Sequence, residues 1–339
     1  MPQGAESLEP TNEEEGTHMI RIGLIGAGKN GRGNVTKLAN DSERCRIAAV
    51  ADLDEQLAAE AAEPFGAAVT TDFTAFLDDV DAVVVSSPNY LHADHAVTCA
   101  EAGKHVWIEK PMAITVADAD RIVQAVEKAG VQSFVGFSVR FDAAVRTMRR
   151  KLDDGVLGSL VSLWSRRMSY SPPGRRGGWR GAFSTSGGHI SELQAHEIDW
   201  ILDMAGMPDV VFCRLASRYR NEELDHEHVW LTMGFGDSVT GTVEGSQMAP
   251  IADYYRGMVG EEAAVYTQQW GKDVVLQKGK DQVEQLELLP RFDKHAHFLD
   301  VIEGSCESVA DVRCGRRVVR VTEKALESAR TGRAVSVQE

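Results

Sequence analysis

The sequence predicts two domains: an α/β domain on a doubly wound parallel sheet, then an α+β domain with a large, mostly antiparallel open sheet. Short branched apolar runs alternate with helical patterns from Met19 to Phe137, and a glycine-rich turn separates the first run from the first helix. From Val145 onward, longer alternating runs follow one another with few helices between them. The first pattern belongs to strands covered on both faces, the second to a sheet covered on one. With 339 residues, 43% of them apolar, the chain has material for about two cores.

Composition excludes several classes of function. A formal net charge of -15 disfavours a phosphate backbone as partner, since nucleic-acid binding needs a basic stripe. No apolar run approaches the roughly 18 residues of a membrane span. Residues 1–18 lack the basic start and apolar segment of a signal peptide, so a cytoplasmic, membrane-free protein is expected. These residues carry Glu6, Glu9, Glu13, Glu14 and Glu15 without Lys or Arg, and read as a disordered acidic tail. The scattered cysteines (Cys45, Cys99, Cys213, Cys306, Cys314) form no Cys-x-x-Cys pair and read as reduced thiols, with no metal expected.

Met19 to Gly26 is a buried strand running into Gly26-Ala27-Gly28-Lys29-Asn30-Gly31, and a helical pattern follows through Val35, Leu38 and Ala39. Gly-x-Gly-x-x-Gly between a strand and a helix is the dinucleotide fingerprint of a Rossmann domain. The missing side chains admit a pyrophosphate, and the helix N-terminus meets its charge. The second strand, Arg46 to Ala51, ends at Asp52, at the offset where a carboxylate reaches an adenosine ribose; an N-cap role there is the alternative. A carboxylate repels a 2′-phosphate and Leu53 offers no guanidinium, so NAD is favoured, while Lys29 and Arg32 keep NADP open. Ala67 to Thr70 and Asp81 to Ser86 are the third and fourth strands. The loop Ser87-Pro88-Asn89-Tyr90-Leu91-His92 after the fourth lies where it would cover a cofactor. After the helix Ala93 to Ala102, the strand Lys104 to Ile108 delivers Glu109-Lys110-Pro111; a lysine at a strand end can face the ligand crevice of an open α/β sheet. The helix Val116 to Gly130 and the strand Val131 to Phe137 complete this half.

Ser87-Pro88-Asn89-x-x-His92, Ala102-Gly103-Lys104-His105-Val106 and Glu109-Lys110-Pro111, at this separation from the fingerprint, resemble the glucose-fructose oxidoreductase / inositol dehydrogenase / rhizopine-catabolism (Gfo/Idh/MocA) family. The resemblance spans roughly Met19 to Val335. It implies a two-domain nicotinamide enzyme acting on a sugar or cyclitol. It also implies that Arg140 lies near the nicotinamide or begins the substrate domain; pairing with a carboxylate is the alternative reading. The implied division is residues 1–18 as tail, 19–140 as NAD(P)-binding domain and 141–339 as substrate and oligomerisation domain, whose last helices return to the first.

In the second half, strands are expected at Leu160 to Met168, Val210 to Ala216, Val229 to Phe235, Val239 to Val243, Ala263 to Gln269 and Asp273 to Gln277. The outer face of such a sheet, if uncovered, predicts a homo-oligomer built through it. The segment Ser171 to Ser186 carries Arg175, Arg176 and Arg180, able to recognise an anionic group or to anchor a loop, and Trp179-Arg180 resembles a pair the family places near its active site. Glu192, His196 and Asp199 stand at i, i+4, i+7, which predicts one shared helix face. In the family the corresponding motif reads Gly-Gly-x-x-x-Asp-x-Gly-x-His-x-x-Asp, with the aspartate and histidine beside the substrate. Here Glu192 and Gln194 replace the Asp and Gly. His226-Glu227-His228 and His295-Ala296-His297 read as solvated or core-edge histidines.

The expected reaction is hydride transfer between a secondary alcohol and nicotinamide. His196 or Lys110 carries the hydroxyl proton, and Lys110 steadies the oxygen. Glu109 orients Lys110 or meets the cofactor, Glu192 binds a neighbouring hydroxyl or steers His196 as part of the catalytic set, and Trp179 and Arg180 bind substrate. The alternatives are a glycosidase working by transient oxidation and elimination, and a non-catalytic nucleotide sensor.

Overall fold

The computed structural model describes residues 19–170, 178–217, 228–268 and 271–338. The acidic tail, Arg175, Arg176 and His226 lie outside the described residues. Among these residues two sheets form.

The first sheet has strands β1 (Ile20–Ile25), β2 (Cys45–Ala51), β3 (Ala68–Thr70), β4 (Ala82–Val85), β5 (His105–Ile108) and β6 (Ser133–Val135), in the order β3-β2-β1-β4-β5-β6. Every pairing is parallel. The order reverses between β1 and β4, which opens the crevice where such sheets take their ligands. The helices α1 (Lys29–Leu38), α2 (Glu55–Ala62), α3 (His92–Glu101) and α4 (Val116–Ala129) connect the strands. All four residues of β4 are buried, as a central strand covered on both faces requires. The stretch Phe73 to Leu77, which in sequence reads as part of a helix, lies in a tighter 3-10 helix, Phe73–Asp79.

The second sheet combines β7 (Leu160–Tyr170), β8 (Val210–Ala216), β9 (His228–Phe235), β10 (Val239–Ser246), β11 (Met248–Gly260), β12 (Ala264–Gln268), β13 (Asp273–Lys278), β14 (Gln282–Leu286) and β15 (Val335–Ser336). Its order is β14-β13-β12-β11-β7-β10-β9-β8-β15, antiparallel except for β10 against β7. Sequence reading misses β11: Pro250 and a register shift between Met248 and Asp253 break its alternation. It also misses β14, which has four exposed residues out of five and so no apolar stripe to read.

The helices of this half are α5 (Ala143–Asp153), α6 (Phe183–Ser186), α7 (Gly188–Glu192), α8 (Ala195–Ala205), α9 (Lys294–Ile302) and α10 (Val312–Thr331). The last two lie against the first domain. Arg44 reaches Asp300 of α9 and its C-cap residue Glu303 at 2.7 and 2.8 Å, and Arg313 donates to Glu127 of α4 at 2.9 Å. Gly315 of α10 is seated on Met112, where a Cβ would come within 2.5 Å of the sulfur; any larger residue would push α10 off the segment that follows Lys110.

Candidate active site

One cleft runs from the glycine turn to the domain boundary, with a volume of about 790 Å³. Gly26, Gly28, Lys29, Asn30 and Asp52 line one end, Ser87, Pro88, Asn89 and His92 the middle, and Glu109, Lys110, Trp179, Arg180 and Glu192 the other.

The turn is shaped for close approach. Gly26 has φ +92°, and a Cβ there would lie 2.6 Å from the backbone of Ser86 and Ser87. A Cβ on Gly28 would project into the cleft, meeting no atom within 4 Å. Gly31 works differently: its Cβ would strike the carbonyl oxygen of Gly26 at 2.1 Å, so it lets α1 pack on β1 and does not line the cleft. Asp52 accepts from the amides of Ala27 (2.7 Å) and Asp54 (3.0 Å), which fixes its carboxylate at the tip of β2. The N-cap of α2 is Asp54, accepting from Gln56 and Leu57, so Asp52 is not the cap. Open backbone at the helix N-terminus and a fixed carboxylate at the ribose offset fit a dinucleotide without a 2′-phosphate.

The loop after β4 is braced from several sides. His92 is buried between the carbonyl oxygens of Pro111 (2.8 Å) and Ser87 (2.9 Å), tying the segment after Lys110 to this loop. Asn89 donates to the carbonyl of Ser186 at 2.7 Å, joining the loop to the second domain. The Ser87 hydroxyl sits 2.9 Å from His95 Nδ1, and burial pushes the His95 ring down to about 4.

The Lys110–Pro111 peptide is cis, and Lys110 donates from Nζ to the carbonyl oxygen of Glu192 at 2.5 Å. Burial lowers its proton affinity; Glu109 and Glu192 oppose that, while Arg167 and Arg180 add to it. Glu192 accepts from Arg180 Nε at 2.8 Å, and the guanidinium lies 4.3 Å over the Trp179 ring. His196 is buried on α8 with no hydrogen-bond partner at Nδ1 among the described residues, and its pKa lies well below 6.5. Burial is the main cause, and the charge of Lys110 is the next.

Two expectations need correction. Glu192, His196 and Asp199 do not share one helix face, because α7 ends at Glu192 and α8 starts at Ala195. Leu193, at φ -106°, breaks the helix between them, and Gln194 precedes α8, its amide lying against Gly245 where a Cβ would come within 2.0 Å. Glu192 therefore turns to Arg180, and Asp199 turns to Arg140. Arg140 in turn does not line the cleft. Its guanidinium bonds Asp199 at 2.9 and 2.7 Å, pairs with Asp203 at 2.7 Å and donates to the carbonyl of Val309 at 2.6 Å, because a buried guanidinium needs this many acceptors. His295 and His297 are buried, which excludes the solvated reading and leaves the core one. Sequence reading also misses Leu57, Thr71, Phe73 and His95 in the cleft wall, since none of them belongs to a motif.

Comparison with known proteins agrees with this geometry. Residues 20–137 match the oxidoreductase family with an NAD-binding Rossmann fold, and residues 145–266 match the GFO/IDH/MocA C-terminal domain. The chain is 28% identical over 252 residues to a 2,7-anhydro-N-acetylneuraminate hydratase of Mediterraneibacter gnavus, covering 73% of this chain and 66% of the relative. It is 42% identical over 161 residues to inositol 2-dehydrogenase 2 of Saccharopolyspora erythraea, covering 45% of this chain and 47% of the relative. These matched segments thus span about two thirds and about half of the two relatives' lengths. A solved levoglucosan dehydrogenase in complex with NADH has the same fold, with a TM-score of 0.87 at 22% identity over 95% of this chain and all of the other. The parallel sheet with its glycine turn, the open second sheet and both domain matches together place the chain in the Gfo/Idh/MocA oxidoreductase family.

Proposed function

We propose that the chain is an NAD-dependent dehydrogenase that oxidises a secondary alcohol of a sugar or cyclitol. The observation that carries this is the position of Lys110 and Glu192 at the far end of the same cleft whose near end holds the glycine turn and Asp52. Gly26, Gly28, Lys29, Asn30 and Asp52 would hold the dinucleotide, with Ser87, Pro88 and Asn89 along it. When bound, NAD supplies the hydride acceptor. His196 does not itself line the cleft, but it lies within reach of the Lys110 charge, and as a neutral buried imidazole it accepts the hydroxyl proton as hydride leaves. Lys110 keeps two N–H donors beyond the one given to Glu192, and these steady the oxygen as it gains charge. Trp179, Arg180 and Glu192 bind the neighbouring hydroxyls, the ring stacking on an apolar sugar face. Asp52 favours NAD over NADP. The comparison with an inositol dehydrogenase supports the cyclitol or sugar class.

The second sheet buries Val211, Cys213, Val229 and Leu231 on one face and exposes Phe212 and Trp230, nearly half accessible, on the other. That exposed face supports a homo-oligomer built through the sheet. No helix among the described residues is long and apolar enough to cross a membrane.

A redox-neutral variant is the second reading, favoured by the relative named as a hydratase, since hydration involves no net oxidation. There the same residues would act on a substrate oxidised and reduced again within one turnover. NADH absorbance across inositols, free sugars and anhydro sugars separates the two. Steady NADH formation supports the dehydrogenase; product without NADH supports the second; neither on any polyol overturns both.

A further inference from the structure

Behind the cleft wall, a buried network joins α1 to the end of β5. Asn34, one turn beyond Gly31, donates from Nδ2 to Glu109 Oε1 at 2.8 Å and accepts at Oδ1 from Lys294 Nζ at 3.2 Å. Trp107 Nε1 donates to the same Glu109 oxygen at 3.2 Å, and the Lys294 ammonium lies 4.7 Å from the centre of the Trp107 ring. His295 Nε2 is 3.3 Å from Asn34 Oδ1. The Glu109 carboxylate is seated over Gly136, where a Cβ would come within 2.9 Å of it. The orientation of the Asn34 amide is forced, because Glu109 as a carboxylate only accepts and Lys294 as an ammonium only donates. Asn34 does not line the cleft, so nothing about cofactor contact requires an asparagine there.

We propose that Asn34 is a positioning residue for Lys110, acting through Glu109: the helix that would seat the cofactor's phosphates also holds the carboxylate next to the reaction lysine. This rests on the assignment of Lys110 to the reaction. Two donors on one oxygen, with Gly136 beneath, restrict the carboxylate to one place. Freed from Asn34, it spreads over several rotamers, and its influence falls with distance. The groups facing Lys110 are Glu109 beside it on the chain, Glu192 from α7, Arg167 from β7, Arg180, and His196 from α8. Glu109 is the strongest of those that favour the charged ammonium. His92 of α3 and Lys294 of α9 also feel the Glu109 charge.

The test is competitive acetylation of the full chain with acetic anhydride across pH, with modification at Lys110 read by peptide mass spectrometry. Glu109→Gln should lower the Lys110 midpoint by about one pH unit. Asn34→Leu should lower it in the same direction by less, and the double variant should match Glu109→Gln alone. A wild-type midpoint in folded Asn34→Leu, or an additive double variant, overturns the proposal. If Asn34→Leu does not fold, as judged by circular dichroism, Asn34→Ser takes its place with the same deciding outcomes. Lys110→Met assayed for turnover tests the underlying assignment separately: full turnover there rejects Lys110 as the reaction lysine, whatever the midpoints show.

Discussion

Lys110 Nζ and the main-chain oxygen of Glu192 stand 2.5 Å apart, so the lysine at the end of β5 is fastened to the second domain through backbone. The side chain of Glu192 engages Arg180. Lys110→Met should lower kcat by a factor on the order of 100 and leave NAD affinity within about twofold. Glu192→Ala retains the backbone acceptor, so it should raise the substrate KM about tenfold with a much smaller change in kcat. Steady-state kinetics with titration of NAD checks both. An equal collapse of kcat in the two variants would show that the Glu192 carboxylate acts in the chemistry.

Asp52 accepts two amides at the tip of β2, at the offset of an adenosine ribose, where its negative charge would oppose a 2′-phosphate. Asp52→Ser removes that charge but keeps a hydroxyl acceptor for the turn. The ratio of kcat/KM for NADP to that for NAD should rise at least tenfold, equivalent to about 1.4 kcal/mol. An unchanged ratio would mean that Lys29 or Arg32 governs the choice.

The Arg140–Asp199 pair is almost fully buried, with side-chain exposures of 10% and 1%. Asp199→Ala leaves the guanidinium with only Asp203 and one carbonyl, and should cost about 3–5 kcal/mol in chemical denaturation. If Arg140 were instead a cofactor residue, the same substitution would weaken NAD binding with little loss of stability.

His92 and His196 are buried, and burial holds both below their unfolded value of 6.5. As pH falls through 6.5 the unfolded chain takes up protons at these sites before the native state does. Their contribution to stability is therefore complete above that pH and declines as pH falls, by at most about 1.4 kcal/mol per pH unit for each residue. Thermal melting from pH 7.5 to about 5 should show a falling Tm, and His92→Gln, which cannot titrate, should flatten part of the decline. A constant Tm over this range would contradict the burial of both rings.

Several features were legible in the chain itself. The glycine turn could be read because it is local: strand, tight bend and helix start are adjacent in sequence, and each has its own residue preference. The strands β1, β2, β4 and β5 could be read because burial on both faces demands continuous branched apolar runs. Lys110 and Asp52 stood out because each is a charged residue at the end of an apolar strand, where the chain leaves the core and meets the crevice. At the motif Gly187 to Trp200 the spacing predicts one continuous helix face, and the structure has two helices instead. Helical spacing cannot reveal that the helix breaks at Leu193, or that the next residue, Gln194, packs against Gly245 of a distant strand. Strand β11 was hidden for a related reason: its pairing with β7 tolerates a proline and a register shift that spoil the local alternation.

By itself, then, the sequence determined the fold class, the dinucleotide turn and the residue types gathered at the cleft, all of which follow from neighbours a few positions apart. Only the tertiary structure decided which of those residues meet. Arg140 goes to Asp199 because a buried guanidinium takes the nearest buried carboxylates. Glu192 goes to Arg180, and Asn34 reaches Glu109 across 75 residues of chain. Such partnerships are selected by packing two domains together, where burial makes an unpaired charge too costly to leave, and that cost has no signature in local sequence.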